Sequence, residues 1–214
     1  MHIDEELKEL NQLLYQMASL VESNIHRAID IFTHPEDEDE KYVVNDDLVD
    51  HYERLIEEKC LDIMVREKLY ANDLKIVTGI LKMSSDLERI GDHAEDIMEY
   101  NQKLRGLGHG KMELINHIAE IAIAMVDDSV SSFIKEDSDL AREVIARDDE
   151  VDKLYEDAQK EIIAKLQSQE LEPAFAINST FILKYLERIA DHSVNIAEWA
   201  NYIKSGYYKD TQIF

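Results

Sequence analysis

The strongest constraint on this fold is a seven-residue phrase that occurs twice. Residues 87–93 read LERIGDH and residues 186–192 read LERIADH, so the second copy lies 99 positions after the first. Two opposite charges and a histidine recur in register with leucine and isoleucine, which indicates an internal duplication. We therefore expect two related halves of about 100 residues, each large enough to bury a core of its own.

Apolar residues recur at steps of three and four along most of the chain, a spacing typical of amphipathic helices. The pattern predicts six long helices, at about 5–32, 35–68, 73–104, 112–133, 140–166 and 173–205. Pro35 suits the first position of the second helix, and Asn72-Asp73 suits the N-cap of the third. Six helices with short connections pack most simply as antiparallel neighbours. The predicted fold is all-α, with two tandem, internally repeated antiparallel three-helix bundles.

Glycine marks the boundary between the two halves. Half of the six glycines lie close together just after the third helix, where they favour a loop over a helix. We therefore predict a first bundle over 1–105, a glycine-rich linker over 106–110 and a second bundle over 111–206. Residues 207–214 follow the last helix and are predicted to form a loose C-terminal tail.

Charge excludes some classes of partner. The chain has 47 acidic and 23 basic residues, a formal net charge of −24, which repels nucleic acids and anionic lipids and attracts cations and basic protein surfaces. The N-terminus has no apolar core of a signal peptide, and no apolar run approaches the roughly 20 residues that span a bilayer. We expect a cytoplasmic protein that does not bind nucleic acid and that reaches a membrane only indirectly, through partners.

The duplication extends to pairs of acidic residues four positions apart. Each half has two such pairs, Asp46/Asp50 with Glu88/Asp92 in the first and Asp148/Asp152 with Glu187/Asp191 in the second. Residues four apart share a helix face. If the second and third helices of a bundle are neighbours, the acidic stripe of one would lie opposite the acidic stripe of the other. A bound cation would turn this repulsion into coordination, and carboxylate ligands suit magnesium, manganese and iron.

Neighbouring side chains leave other interpretations open. Arg89 and Arg188 each follow a glutamate of these pairs, and salt bridges there would leave no room for metal. The protein would then be a metal-free structural adaptor. His93 and His192 are candidates for outer-shell ligands or for buried, hydrogen-bonded packing residues, and packing is the interpretation we prefer.

An enzyme is the other alternative. Di-iron and di-manganese carboxylate enzymes built on helical bundles use Glu-x-x-His motifs, and this sequence contains none. It also lacks a glycine-rich phosphate loop and a nucleophile beside a recognisable base. We therefore predict a protein without catalytic activity, in preference to a di-iron or di-manganese carboxylate enzyme.

The doubled phrase and the paired acids, over about residues 5–205, resemble the PhoU family of cytoplasmic regulators of phosphate uptake. The resemblance implies that the eight paired acids bind metal, as multinuclear iron or zinc clusters or alternatively as magnesium or manganese. In the second half, Val194 and Asn195 stand where the first half has Glu95 and Asp96, so this site is expected to bind fewer ions or to bind them more weakly.

The same resemblance implies a role and partners. The protein would negatively regulate a phosphate ABC transporter and its sensor histidine kinase through protein–protein contacts. A partner surface rich in basic residues would match the acidic field of the chain. Because two-fold dimers are the commonest soluble oligomers, we also expect a homodimer.

Overall fold

The computed structural model describes residues 2–33, 46–104, 112–205, 207–208 and 211–212. This part of the chain forms six α-helices and one short hairpin, and the helices confirm the all-α prediction. Their bounds are α1 (His2–Thr33), α2 (Asp46–Arg66), α3 (Ala71–Leu104), α4 (Glu113–Ile134), α5 (Ser138–Gln167) and α6 (Pro173–Ser205). The predicted helix start at Pro35 and the linker over 106–110 lie outside the described residues.

The ends of two helices show how local hydrogen bonds fix helix boundaries. α3 begins slightly earlier than the predicted cap, and the Asp73 carboxylate accepts a hydrogen bond from the Tyr70 backbone N–H at 3.1 Å. This bond satisfies an amide donor at the start of the helix. α5 begins with Asp137 as its N-cap, whose carboxylate accepts from the backbone N–H groups of Asp139 and Leu140.

Two three-helix bundles form one structural unit. Within each half every helix contacts both others, and the halves join where α1 packs on α4 and α3 packs on α6. Among the described residues, α2 and α5 contact only helices of their own half, so they lie on the outer flanks. Buried apolar side chains of both halves form one continuous cluster. Each half is large enough to bury a core, and the α3–α6 contact joins the two cores into one.

Gly91 allows α3 to approach α2 closely. A Cβ atom at this position would lie 3.0 Å from Cγ1 of the buried Val49 on α2, a tighter contact than packed carbon atoms normally make. Val49 lies between Asp46 and Asp50, and Gly91 precedes Asp92. The contact between this glycine and this valine therefore sets the distance between the two acidic stripes.

The C-terminal tail contains two short strands. Strands β1 (Tyr207–Tyr208) and β2 (Thr211–Gln212) pair antiparallel, with Tyr207 opposite Gln212. The sequence did not predict this hairpin, because strands of two residues carry no periodic signal. In the described part of the chain, no helix is long and apolar enough to cross a membrane.

Candidate metal-binding grooves

The first groove lies between α2 and α3 and contains Asp46, Asp50, Glu88 and Asp92. Burial, followed by the charges of Glu95 and Asp92 on the opposite helix, raises the pKa of Asp46 from 3.8 to about 6. Burial and the neighbouring Asp92 raise the pKa of Glu88 from 4.5 to about 7, and Asp50 adds to this from across the groove. The four predicted carboxylates of the first half therefore lie close enough together for charge–charge repulsion between them.

The second groove lies between α5 and α6 and repeats this arrangement with Asp148, Asp152, Glu187 and Asp191. Burial, followed by the charge of Asp191 on the opposite helix, raises the pKa of Asp148 from 3.8 to about 6. Burial and the neighbouring Glu187 raise the pKa of Asp191. All eight predicted acids thus line two equivalent grooves, four in each.

The first groove contains more acids than the second. Burial raises the pKa of Glu53, an effect that a hydrogen bond with the Ser85 hydroxyl partly offsets. Burial and nearby carboxylates also raise the pKa of Glu95. The second half has Tyr155 and Val194 at the positions equivalent to Glu53 and Glu95. This difference agrees with the expectation that the second groove has fewer ligands.

Two features of the first groove favour binding of a divalent cation. A third feature shows what such binding would require. The Oδ1 atom of Asp46 is buried and has no hydrogen-bond partner among the described residues, and a cation could coordinate it. Carboxylates on opposite sides of the groove have raised pKa values and repel each other. A bound ion that prefers oxygen ligands would offset this repulsion. However, no three His, Cys, Asp or Glu side chains in the described ranges converge closely enough to hold an ion. Binding would therefore require rotation of the carboxylates into the groove.

Cationic side chains already contact some of these acids. Arg89 donates from Nη1 to Oδ2 of Asp92 at 3.0 Å, and its Nε atom lies 3.5 Å from Oε2 of Glu88. This is the contact that the metal-free interpretation predicts for the first half. Its counterpart Arg188 lies 5.8 Å from the ring centroid of Tyr185. The two arginines of the repeated phrase therefore have different surroundings.

The two histidines of the phrase lie at the α3–α6 interface. The ring centroids of His93 and His192 are 5.6 Å apart, and His93 also lies 5.4 Å from the ring of Tyr185. His93 Nδ1 is 3.4 Å from Oδ2 of Asp96, and His192 Nδ1 is 2.9 Å from Oδ1 of Asp86. These contacts agree with the packing interpretation, because both rings lie where the two halves of the molecule meet.

Sequence reasoning missed two residues that contact these sites. Asp86 bonds His192 from the other half and also accepts from Nδ2 of Asn195 at 3.3 Å. Lys184 donates to the Glu187 carboxylate inside the second half. Both stand at positions where the two copies disagree, since Asp86 matches Tyr185 and Lys184 matches Ser85. A comparison of the copies beyond the shared phrase would have found them.

The raised pKa values predict how stability depends on pH. Without divalent cations, we expect a higher melting temperature at about pH 5.5 than at about pH 8. Asp46, Glu88 and Asp148 have higher pKa values in the folded chain than their ordinary values, so the folded state binds more protons than the unfolded state. Stability therefore rises as the pH falls through about 7 toward 5.

Thermal denaturation followed by circular dichroism, in a buffer with chelator, measures this difference. A Glu88→Gln variant should show a smaller difference between the two pH values, because it removes one of the titrating groups. A wild-type protein that melts at a higher temperature at the alkaline pH would contradict the prediction.

Comparisons with known proteins agree with the duplicated fold. A family model described as PhoU domain matches residues 14–100 and again residues 115–200, once in each half. A protein of Aquifex aeolicus named phosphate-specific transport system accessory protein PhoU homolog is 36% identical over 208 residues, covering 96% of this chain and 94% of that protein. A protein of the same name from Clostridium acetobutylicum is 29% identical over 97% of this chain and 96% of its own length.

Solved structures show the same similarity. The crystal structure of the phosphate transport system regulatory protein PhoU from Streptococcus pneumoniae superimposes with a TM-score of 0.88 and 26% identity, covering 98% of this chain and all of that one. The crystal structure of PhoU from Pseudomonas aeruginosa gives a TM-score of 0.85 and 29% identity, over 95% of this chain and 99% of that chain.

Proposed function

Because this chain belongs to the PhoU family, we propose that it is an accessory regulator of a phosphate-specific transport system. The observation that supports this most directly is the match of both halves to the PhoU domain. Its relatives are named as accessory or regulatory proteins, and the alignments cover nearly their whole length. This supports a role in regulation and not in chemistry.

The proposed regulation is negative and works through protein contacts. The protein would act on the cytoplasmic side, on components of a phosphate ABC transporter and on a sensor histidine kinase, and would lower phosphate uptake when phosphate is plentiful. The net charge of −24 supports a partner with a basic surface, because complementary charge speeds and orients association. The homodimer expected on general grounds stays a prediction.

We also propose that both grooves bind divalent cations. The observations that support this are the buried, unpartnered Oδ1 atom of Asp46 among the described residues and the raised pKa values of Asp46, Glu88 and Asp148, which arise from burial first and from neighbouring carboxylates second. An ion supplies positive charge where these carboxylates face each other. The residues that would hold it are Asp46, Asp50, Glu88 and Asp92 in the first groove and Asp148, Asp152, Glu187 and Asp191 in the second. The all-oxygen ligand set favours magnesium, manganese or iron over zinc.

A metal-free adaptor is the second candidate, and one observation favours it. Arg89 already bonds Asp92 and lies near Glu88, so a protein cation offsets part of the negative charge in the first groove. Arg89 is 59% exposed in its side chain, and exposed ion pairs contribute little stability. A diffusible ion would therefore displace it at small cost.

A host strain that lacks this gene tests the regulatory role. Uptake of radiolabelled phosphate in phosphate-rich medium should exceed that of the parent strain, and the wild-type gene should restore the lower rate. A gene encoding Asp92→Asn/Asp191→Asn should fail to restore it at equal protein level. The matched control is Asp139→Asn, which changes an exposed aspartate outside the grooves.

Each outcome bears on a different part of the proposal. Unchanged uptake after deletion would overturn negative regulation. Full restoration by the Asp92→Asn/Asp191→Asn variant would leave the regulatory role intact and overturn the contribution of the grooves.

A further inference from the structure

At one position along the grooves, the residues that face each other differ between the two copies of the repeat. On the inner helices, Ser85 of α3 corresponds to Lys184 of α6, 99 positions later. On the outer helices, Glu53 of α2 corresponds to Tyr155 of α5, 102 positions later. A serine and a carboxylate in the first groove are thus replaced by an ammonium group and an aromatic ring in the second.

Side-chain contacts show that these residues meet across the groove in both halves. In the first half, the Ser85 hydroxyl lies near enough to Glu53 to lower the pKa of its carboxyl group, so a neutral donor faces a carboxylate. In the second half, Lys184 Nζ lies 5.5 Å from the ring centroid of Tyr155 on α5 and also donates to Oε2 of Glu187 on α6. The ammonium group of Lys184 therefore lies between the two helices of the second groove.

Lys184 contacts the carboxylates that a metal ion would use. Its partner Glu187 has a side chain only 15% exposed, and a charge-assisted bond to a sheltered carboxylate is stronger than one in open solvent. Lys184 also lowers the pKa of Asp191, against the larger effects of burial and Glu187 that raise it. Tyr155 offers the ammonium group a cation–π contact where the first groove offers a carboxylate.

Arg89 also contacts predicted ligands, Asp92 and Glu88, but from a more exposed position than that of Lys184. Its side chain is 59% exposed, whereas that of Lys184 is 39% exposed. The counterpart of Arg89 in the second half, Arg188, lies over Tyr185, a residue that packs against His93 at the α3–α6 interface. The arginine at this position of the repeat is therefore more exposed to solvent than Lys184.

We propose that Lys184 is a built-in counter-cation of the second groove, which competes with divalent ions for Glu187. The inference rests on the proposed metal binding, and it adds the order in which the two grooves bind ions. Divalent ions fill the first groove at lower concentration, and they fill the second only when they displace the ammonium group of Lys184. Lys184 therefore widens the difference in affinity that the smaller number of acids already gives the second groove.

Binding of Mn²⁺ to variants with a single intact groove tests this proposal. In an Asp92→Asn background the second groove keeps all its acids, and Lys184→Ser installs the residue of the first half. We expect this change to tighten Mn²⁺ binding about tenfold, measured by calorimetry and by electron paramagnetic resonance of free Mn²⁺. The reverse change, Ser85→Lys in an Asp191→Asn background, should weaken binding to the first groove by a similar factor.

Two further measurements separate competition from a loss of structure. With chelator present at alkaline pH, Lys184→Ser should lower the melting temperature, because the carboxylates lose their counter-cation, and Mn²⁺ should restore it. The control Lys160→Ser removes an exposed lysine of the same helix as Tyr155, paired with Asp157 outside the groove, and should leave Mn²⁺ binding unchanged.

The outcomes distinguish this inference from the proposed function. If the first groove binds Mn²⁺ and Lys184→Ser leaves the affinity of the second groove unchanged or weaker, the role of Lys184 is overturned and metal binding stands. If neither groove of the wild-type protein binds Mn²⁺ and Lys184→Ser creates no binding, both the inference and the proposed metal function are overturned.

Discussion

Millimolar Mn²⁺ should raise the melting temperature of the wild-type protein by about 10 °C or more. A ligand that binds only the folded state, at a hundred times its dissociation constant, stabilises it by about 2.7 kcal/mol per site. Two grooves would give about 5 kcal/mol, and each kcal/mol shifts the melting temperature of a chain of this size by about 2–4 °C. Differential scanning calorimetry with Mn²⁺ and with chelator measures the shift, and elemental analysis of protein purified without chelator measures bound metal.

The Asp92→Asn/Asp191→Asn variant makes this test specific to the grooves. It should lose most of the increase caused by Mn²⁺ and retain little metal on purification. In the presence of chelator it should melt above the wild-type protein, because it has fewer like charges in each groove. No shift with magnesium, manganese, iron or zinc, together with no metal in the purified protein, would reject metal binding and leave the adaptor interpretation.

Gly91→Val should destabilise the protein by about 1–3 kcal/mol. A single Cβ atom at this position already lies 3.0 Å from Val49 Cγ1, and the two further methyl groups would force α3 away from α2. Valine is a better helix former than glycine, so the loss must come from packing between the helices. Denaturation by urea measures the free energy of unfolding, and Mn²⁺ binding to the first groove should weaken because its two acidic stripes move apart.

A double-mutant cycle with Val49→Ala checks the cause. Val49→Ala removes the methyl groups that a larger residue at position 91 would meet, although on its own it loses buried contacts. The combined variant should therefore be more stable than the sum of the two single effects predicts. Additive effects, or a Gly91→Val protein as stable as the wild type, would show that this contact does not hold the helices at their distance.

Much of the fold could be predicted because the relevant signals are local or repeated. Apolar spacing defined the helix bounds to within a few residues, except for the predicted start of the second helix, which lies outside the described residues. The duplicated phrase divided the helices into two sets of three. The eight acids were found because four-residue spacing fixes a helix face without any tertiary information. That the faces oppose each other followed from the short connections of a bundle.

Other features depend on contacts between distant residues or on differences between the copies. Asp86 and His192 meet across the α3–α6 interface although 106 positions separate them, and no periodicity predicts such a contact. Lys184 was missed because the interpretation of the site relied on what the copies share. Whether three carboxylates converge on one point depends on side-chain rotamers, which the spacing of residues in a sequence does not determine.

The position of α2 and α5 on the outer flanks has a consequence for local stability. A helix packed on one side only can separate from the molecule at a lower free energy than a helix surrounded by others. We therefore expect the backbone amides of the four inner helices to exchange slowly, and those of α2 and α5 to exchange through smaller, local openings. The acidic stripes lie where each outer helix would separate. Charge neutralisation in a groove thus protects one outer helix from opening and leaves the centre unchanged.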